Sequence, residues 1–290
     1  VKAASLAEIV ISGGDLLDEP VAAFLDYLMA NPRDIADALN TPKTLVVFDF
    51  GGGTCDVAVF RLSRADSGGL HISPLAVSRY HRLGGGDIDR AIVYEVLLPQ
   101  LLEQNKLKPQ DLTFEDKKNY IEPAFVGVAE ALKTGLCNEI SRLESFGQYE
   151  SEDKAAVTKK QPGLQPCRLR ERPLELQSPS LSAAQFEKLL APFLDRELLY
   201  ARETEYRLTC SIFAPVQDAL DRSSLDAEEI DFCLLVGGSS LIPQVAHAVA
   251  RFFNNAKVLT YPDRESVQVA VARGAAWHSL ALALFGRGLF

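Results

Sequence analysis

The sequence predicts an α/β fold in which a mixed β-sheet is flanked by helices and carries an inserted α+β subdomain. Three apolar segments on short turns, at 45–50, 56–62 and 70–79, are typical of an antiparallel meander. A later order of helix, strand, helix, strand and helix completes the α/β pattern. Polar, proline-bearing stretches between these two parts indicate an insertion with an exposed loop.

Composition limits the class of protein. Of 290 residues, 47% are hydrophobic and 24% are charged, which is typical of a globular chain. We expect no membrane partner, because no apolar run approaches the roughly 20 residues needed to cross a bilayer. The net charge of −9, without a basic patch, argues against nucleic-acid binding. Five scattered cysteines and the lack of a secretory signal predict a soluble, cytoplasmic protein with reduced thiols.

The elements before the insertion follow from local patterns. Residues 8–12 are predicted to form a short strand, and Pro20 suits the first turn of a helix that runs from 21 to about 30. The three strands of the meander come next. Gly84-Gly85-Gly86 then ends the sheet segment, and an acidic first turn favours a helix over about 87–102.

The remaining elements are predicted in the same way. A second long helix is expected over about 113–136, followed by small strands between 138 and 179. Ser182 is a suitable N-cap for a helical region that continues to about 220. The final elements are a strand at 230–236, a helix at 242–253, a strand at 257–259 and a helix at about 266–283.

Two further patterns suggest structural roles. Trp277 and the apolar residues near it in sequence recur at helical spacing, so we expect them in the core. Arg168, Arg170 and Arg172 alternate in sequence, so we expect them on one solvated face of a strand. Neither pattern predicts a catalytic site.

The strongest local signal is the segment D-F-G-G-G-T-C-D at 49–56, between two apolar strands. Consecutive glycines let a backbone turn sharply and bring N–H groups towards an anion. Asp49 can hold a hydrated Mg²⁺ through water, and Thr54 can offer a hydroxyl to a phosphate oxygen. The segment alone is also compatible with an ordinary hairpin turn, in which Asp56 is only a turn residue.

At this point the chain resembles a known family. Five segments, in the family's order, are similar to the seventy-kilodalton heat-shock chaperones of the actin and sugar-kinase ATPase superfamily. They are D-E-P-V-A-A at 18–23, the second phosphate-binding segment at 45–62, R-L-G-G-G-D-I-D at 82–89, L-L-V-G-G-S-S-L-I-P at 234–243, and P-D at 262–263 with G-A-A at 274–276.

The resemblance implies an actin-like (ribonuclease H-like) ATPase lobe that binds ATP or ADP with Mg. By it, Glu19 and Asp49 position metal-bound and attacking water, and Thr54 completes the catalytic set. The other implied nucleotide-binding residues are Gly51, Gly52 and Gly53 for phosphates, Gly84 and Gly85 beside them, Glu130 and Lys133 for ribose, and Gly237, Gly238, Ser239 and Asp263 for the nucleoside.

The chain departs from the family at several of these segments. Gly86 replaces a glutamate, and Cys137 replaces a serine. Thr134 and Leu241 replace two arginines that sandwich the adenine in the family. Planar guanidinium stacking is not reproduced by Thr or Leu, so the base site differs from that of the family.

The predicted organisation is the second lobe of the nucleotide-binding domain. Residues 1–83 and 182–290 form one subdomain (IIA), with part of the preceding lobe at 1–42, and residues 84–181 form an inserted subdomain (IIB). ATP hydrolysis is expected only with an N-terminal lobe that carries the family's D-L-G-T-T loop and its lysine. Expected partners are a co-chaperone or nucleotide exchange factor, and a client protein bound through regions outside this chain.

Two alternatives remain open from the sequence. One is a non-hydrolysing protein-interaction module on the same fold, suggested by Gly86, Thr134 and Leu241. The other is a small-molecule kinase of the same superfamily, which the E-P-x-A-A and L-V-G-G-S segments favour less.

Overall fold

The structure is a computed structural model that describes residues 5–8, 16–36, 39–64, 70–79, 81–200, 202–203 and 208–285. The strand predicted at 8–12 lies, apart from Glu8, outside these residues. In chain order, the helices of the described residues are α1 Glu19–Ala30, α2 Arg33–Ala36, α3 Gly85–Ile92, α4 Leu98–Gln104, α5 Phe114–Asp116, α6 Glu122–Ser145, α7 Ala183–Leu190, α8 Phe213–Ser223, α9 Pro243–Phe252 and α10 Arg264–Phe285. The strands are β1 Lys43–Phe50, β2 Cys55–Arg64, β3 Leu70–Val77, β4 Thr158–Lys160, β5 Leu164–Leu169, β6 Arg172–Gln177, β7 Ser180–Ser182, β8 Arg202–Glu203, β9 Leu208–Thr209, β10 Phe232–Val236 and β11 Lys257–Leu259.

A five-stranded mixed sheet has the order β11-β10-β1-β2-β3. Strands β1, β2 and β3 pair antiparallel, which confirms the predicted meander. Strand β10 pairs parallel to β1, and β11 pairs parallel to β10. Because β1 and β10 are parallel, their carboxyl ends meet at one edge of the sheet, where loops form binding sites in α/β proteins.

Both faces of the sheet are buried. Alternate residues of β1 point to opposite faces, as strand geometry requires. Val46 and Phe48 pack in a cluster with α3, α4, α6 and α9, whereas Leu45 and Val47 pack in a second cluster with α1 and α10. The sheet is therefore covered by helices on both sides, which explains the near-continuous apolar run of β1.

Helices α1 and α10 pack directly against each other. A methyl group in place of the Gly274 hydrogen would overlap the Ala22 carbonyl, so a glycine is needed at this close approach. Arg273, next to it, donates two hydrogen bonds of 2.9 Å to the buried carboxylate of Asp26. Among the described residues, no helix combines the length and apolarity that crossing a membrane requires.

The insertion is more helical than the sequence predicts. The helix expected to end near 136 continues to Ser145, because Ile140 and Leu143 extend its buried face. One π turn, at Val93–Leu97, joins α3 to α4, and another, at Lys117–Ile121, joins α5 to α6.

Small strand pairs complete the insertion: β4 with β7 and β5 with β6. Gly135, inside α6, lies against β4, and a Cβ there would stand 2.6 Å from Lys159 Cε. Glycine at 135 therefore leaves room for the Lys159 side chain of β4.

The single helical region predicted from 182 to about 220 is wrong. Helix α7 does begin after Ser182, which accepts a hydrogen bond from the Gln185 amide as the predicted N-cap. It ends at Leu190 and passes into a short 3₁₀ turn at Ala191–Phe193. The strand pair β8 and β9 follows before α8. Pro192 has no amide hydrogen to continue the helix, and Phe193 is anchored in the core.

Two other predictions are corrected. Trp277 is 38% exposed, because α10 buries another stripe, which includes Val267, Ala270 and Gly274, against α1 and the sheet. The arginines at 168, 170 and 172 do not share a strand face. Arg170 occupies the turn between β5 and β6 with a φ of 54° and pairs with Asp116 at 2.9 Å.

Candidate functional site

The turn between β1 and β2 presents two unused amides. The Gly51 N–H donates to the Thr54 carbonyl at 3.0 Å and closes the turn. Gly52 and Gly53 are exposed, with no atom within 4 Å of the place that a Cβ would take. In the part of the chain that the structure describes, neither of their N–H groups donates to a protein acceptor. These amides are therefore accessible to an anion.

The start of α3 holds this turn in place. The Gly85 amide donates to the Gly51 carbonyl at 2.9 Å, and the Gly86 amide donates to the Gly52 carbonyl at 2.8 Å. Gly84 donates its own amide to the Asp87 carboxylate at 2.8 Å, and a side chain on Gly84 would overlap the Gly52 backbone. Gly84 thus permits close packing and does not itself offer a free donor.

The turn after β10 approaches from the other side. Gly237 has a φ of 81°, and a Cβ there would lie 2.5 Å from Asp49 Oδ1, so both the backbone conformation and the space favour glycine. The Ser239 hydroxyl donates to the Gly51 carbonyl at 2.8 Å. The β1–β2 turn is therefore held between α3 and the β10 turn.

Three carboxylates lie near the carboxyl end of β1. Asp49 is paired with Asp56 across β1 and β2, and Glu19 begins α1. Burial, then the charges of Asp56 and Glu19, raise the pKa of Asp49 to about 6. Among the described residues, no three carboxylate, His or Cys side chains lie close enough together to hold a metal ion directly. A metal beside Asp49 would therefore be held through water and ligand oxygens.

A cavity of about 310 Å³ opens beside the β1–β2 turn. Its lining comes from segments far apart in the sequence. The glycine-rich side is formed by Gly52, Gly85, Gly86, Gly238 and Ser239, and one face of α6 contributes Glu130, Lys133, Thr134, Cys137 and Asn138. The remaining lining residues are Asp89, Leu241, Ile242, Arg264 and Gln268.

Charged groups of the cavity differ in how they are paired. The Lys133 ammonium lies 2.8 Å from each carboxylate oxygen of Asp89 and 3.3 Å from the Gly85 carbonyl. Burial raises the pKa of Asp89, and Lys133 opposes that shift. Glu130 is exposed, and within the described residues it makes no hydrogen bond or ion pair. The cavity therefore contains one anchored cation and one carboxylate that is free to accept from a ligand.

The structure brings together about half of the residues that the sequence singled out. Gly52, Gly85, Glu130, Lys133, Gly238 and Ser239 line the cavity, and Gly51, Gly53, Gly84 and Gly237 lie in the turns beside it. Glu19, Asp49 and Thr54 are outside the lining, around the base of the β1–β2 turn. Asp263 is exposed and caps α10, where its carboxylate accepts from the Ser266 amide at 2.8 Å. A role for Asp263 in nucleotide binding stays a prediction.

Sequence reasoning did not predict a binding role for five lining residues: Asp89, Asn138, Ile242, Arg264 and Gln268. Asn138 lies eight residues after Glu130 in α6, and Gln268 lies four residues after Arg264 in α10. Helical spacing could therefore have indicated that the two residues of each pair lie on the same side of their helix. The four positions at which the chain departs from the family that it resembles, Gly86, Thr134, Cys137 and Leu241, all line the cavity. Burial raises the pKa of the Cys137 thiol to about 12.

The arrangement is suited to a ligand with an anionic and a hydroxylated part. Free amides at a glycine turn bind anions. A concave cavity with a few convergent polar groups binds a small molecule.

Comparison with known proteins agrees with this fold. A family model described as Hsp70 protein matches residues 11–122 and 176–283, which is more than half of the chain. The chain is 29% identical over 261 residues to the chaperone protein HscA homolog of Haemophilus influenzae (strain PittGG), covering 90% of this chain and 30% of that relative. It is 28% identical over 277 residues to the HscA homolog of Methylobacillus flagellatus, covering 92% of this chain and 32% of that relative. The chain thus spans about a third of the length of these curated relatives. It belongs to the Hsp70 family, a family of chaperones, and has the actin-like ATPase fold of that family.

Proposed function

We propose that this chain is the ATP-binding lobe of a heat-shock-type chaperone ATPase. The observation that carries the proposal is the convergence of the β1–β2 turn, α3, α6 and the β10 turn on one cavity beside two free glycine amides. In this proposal, residues 1–83 and 182–290 form subdomain IIA, and 84–181 form subdomain IIB.

The phosphates would bind at the β1–β2 turn. Gly52 and Gly53 are exposed and their amides have no acceptor among the described residues, and α3 and Ser239 hold the turn in place through hydrogen bonds. Phosphoryl transfer depends mainly on positioning and on neutralising charge, so a preorganised amide turn is suitable equipment. Glu130 would accept hydrogen bonds from ribose hydroxyls, and the anchored Lys133 would donate to them.

Mg²⁺ fits the carboxylates at the end of β1. Burial raises the pKa of Asp49, and the charges of Asp56 and Glu19 raise it further, so a hydrated dication would stabilise the ionised Asp49 carboxylate. When bound, Mg²⁺ neutralises phosphate charge. Asp49 and Glu19 would hold it through water, and Thr54 would add a hydroxyl near the phosphates.

Hydrolysis is proposed to require further residues. The family's D-L-G-T-T loop and its activating lysine do not occur in this sequence. We therefore expect the chain alone to bind ATP and ADP but to turn ATP over poorly. A co-chaperone or exchange factor, a client protein and a cytoplasmic location are part of the same proposal.

Calorimetric titration with Mg-ATP and Mg-ADP tests the proposal. The decisive variant is Gly52→Val, because a Cβ at 52 would meet no protein atom within 4 Å, whereas the valine side chain would obstruct ligand access to the amides. We expect it to weaken nucleotide binding at least about tenfold while the thermal unfolding midpoint stays the same. The control is Gly127→Ala on the exposed face of α6, which should bind like the wild type. Equal affinity of Gly52→Val and wild type, or brisk ATP turnover by the chain alone, would contradict the proposal.

A second candidate is a non-hydrolysing interaction module that keeps the fold. It is favoured by Thr134 and Leu241, which line the cavity without the stacking capacity of arginine. If Asp49→Asn and Gly52→Val left every activity of the longer protein unchanged, this candidate would replace the first.

A further inference from the structure

The cationic side chain of Arg264 lines the cavity and has no partner among the described residues. It is the first residue of α10 and is exposed. Within the described residues its guanidinium makes no hydrogen bond or ion pair, whereas the ammonium of Lys133, in the same cavity, is bound to Asp89 and Gly85. A ligand in the cavity could therefore contact Arg264 without breaking an existing interaction.

The neighbours of Arg264 suit a flat, partly polar ligand. Gln268 lies one turn further along the same face of α10, and Asn138 lines the cavity from α6. Leu241 and Ile242 add apolar surface. A planar cation, apolar side chains and two carboxamides form a suitable environment for a nucleobase, which has two π faces and a polar edge.

We propose that Arg264 stacks on the base of the bound purine nucleotide. This inference rests on the proposed function and adds a base-contacting residue to it. Thr134 and Leu241 cannot stack as guanidinium groups do, and Arg264 would supply that interaction from a different element, α10. The base would then lie between α6 and the start of α10, with the phosphates towards Gly52.

A purely electrostatic role is the competing explanation, since a cation anywhere in the cavity attracts a triphosphate. Stacking needs the planar guanidinium and a base, whereas charge attraction needs only a cation and phosphates. Arg264→Lys keeps the charge and loses the plane, and Arg264→Ala loses both. Inorganic tripolyphosphate carries the charge of the ligand without its base.

The experiment is calorimetric titration of the chain with Mg-ATP and, separately, with Mg-tripolyphosphate. The proteins are the wild type, both Arg264 variants and Arg222→Ala, an exposed helical arginine outside the cavity. We expect Arg264→Ala to weaken ATP binding about tenfold, and Arg264→Lys nearly as much. Tripolyphosphate binding should change by less than about twofold in the lysine variant, and Arg222→Ala should match the wild type.

Three results would overturn the inference alone. They are wild-type ATP affinity in Arg264→Lys, wild-type ATP affinity in Arg264→Ala, and equal losses of ATP and tripolyphosphate affinity in both Arg264 variants. If the wild-type chain binds neither ATP nor ADP, the proposed function fails and the inference fails with it. Thermal unfolding of each variant checks that the fold is retained.

Discussion

Gly84 lies so close to Gly52 that a methyl group in place of its hydrogen would overlap the Gly52 carbonyl. The two residues belong to segments separated by the whole of β2 and β3. The Gly86 amide reinforces the contact by donating to the same carbonyl at 2.8 Å. The shape of the β1–β2 turn is therefore determined partly by α3 and not by its own sequence alone.

Gly84→Ala should displace the β1–β2 turn. We expect a loss of about 1–3 kcal/mol in the free energy of unfolding, because backbone atoms at the contact cannot move aside as a flexible side chain can. Mg-ATP affinity should fall at least about tenfold, measured by calorimetry. Gly127→Ala is the matched control, since its Cβ would meet no atom within 4 Å, and it should stabilise α6 by about 0.5–1 kcal/mol. Unchanged ATP affinity in Gly84→Ala would contradict the prediction, because it would mean that displacing the β1–β2 turn does not affect binding.

Asp49→Asn should stabilise the protein in a pH-dependent way. The pKa of Asp49 is raised from 3.8 to about 6, so the folded state binds the proton more tightly than the unfolded state does. The ionised carboxylate therefore costs stability, by up to about 3 kcal/mol once the pH exceeds the folded-state pKa. The gain from asparagine should be full near pH 8, decline as the pH falls through about 6, and vanish below about 4.

Urea denaturation of Asp49→Asn and the wild type at several pH values between 4 and 8 measures this difference. A stability gain that did not depend on pH would contradict the carboxylate as its source. The same substitution should weaken Mg-dependent nucleotide binding, because the amide has no charge with which to attract the hydrated cation. Stability and binding would then change in opposite directions, as is common at functional sites.

Arg273→Ala should be strongly destabilising. It removes both hydrogen bonds to the Asp26 carboxylate, whose side chain is only 3% exposed, and leaves that charge buried between α1 and α10. We expect a loss of about 3 kcal/mol in urea denaturation. Arg142→Ala removes a similar two-bond contact with Glu139 on the surface, where water screens both charges, and should destabilise the protein far less. Similar losses in the free energy of unfolding for the two variants would mean that the burial of Asp26 is not the reason for the destabilisation.

Glu130→Gln should weaken ATP binding and leave the stability of the protein nearly unchanged. Glu130 is exposed, and the described residues offer its carboxylate no partner, so the free energy of unfolding should change by less than about 0.5 kcal/mol. Loss of a charge-assisted hydrogen bond to ribose should weaken ATP binding about fivefold to tenfold. Tripolyphosphate has no ribose, so its binding should not weaken. A parallel loss for both ligands would argue against a ribose contact.

Much of the fold follows from local sequence. The two apolar runs that form β1 and β2 and the three glycines between them predicted a hairpin, and its register pairs Asp49 with Asp56. Helix starts at Pro20 and Ser182 were also predicted correctly. These features depend on backbone preferences and capping groups within a few residues, which is why the sequence alone reveals them.

Predictions that required a packing partner were less successful. Trp277 belongs to a regular apolar stripe, but periodicity does not say which stripe of α10 meets α1. The helix predicted from 182 to 220 is interrupted at Pro192, which has no amide hydrogen, and Phe193 after it packs in the core. The exposure of Trp277 and the burial of Phe193 were decided by contacts with distant segments.

By itself, the sequence determined the chemistry available at the site: a glycine turn between acidic residues, a helix carrying Glu130 and Lys133, and a second glycine turn after β10. Only the tertiary structure decided that these segments share one cavity, that Asp49 is half-buried beside Asp56 and Glu19, and that Arg264 lines the same cavity. The physical reason is that turns and caps depend on neighbours along the chain. Burial, electrostatic coupling and the convergence of segments on one cavity depend on contacts between residues far apart in the sequence. The parallel pairing of β1 with β10 brings such residues together.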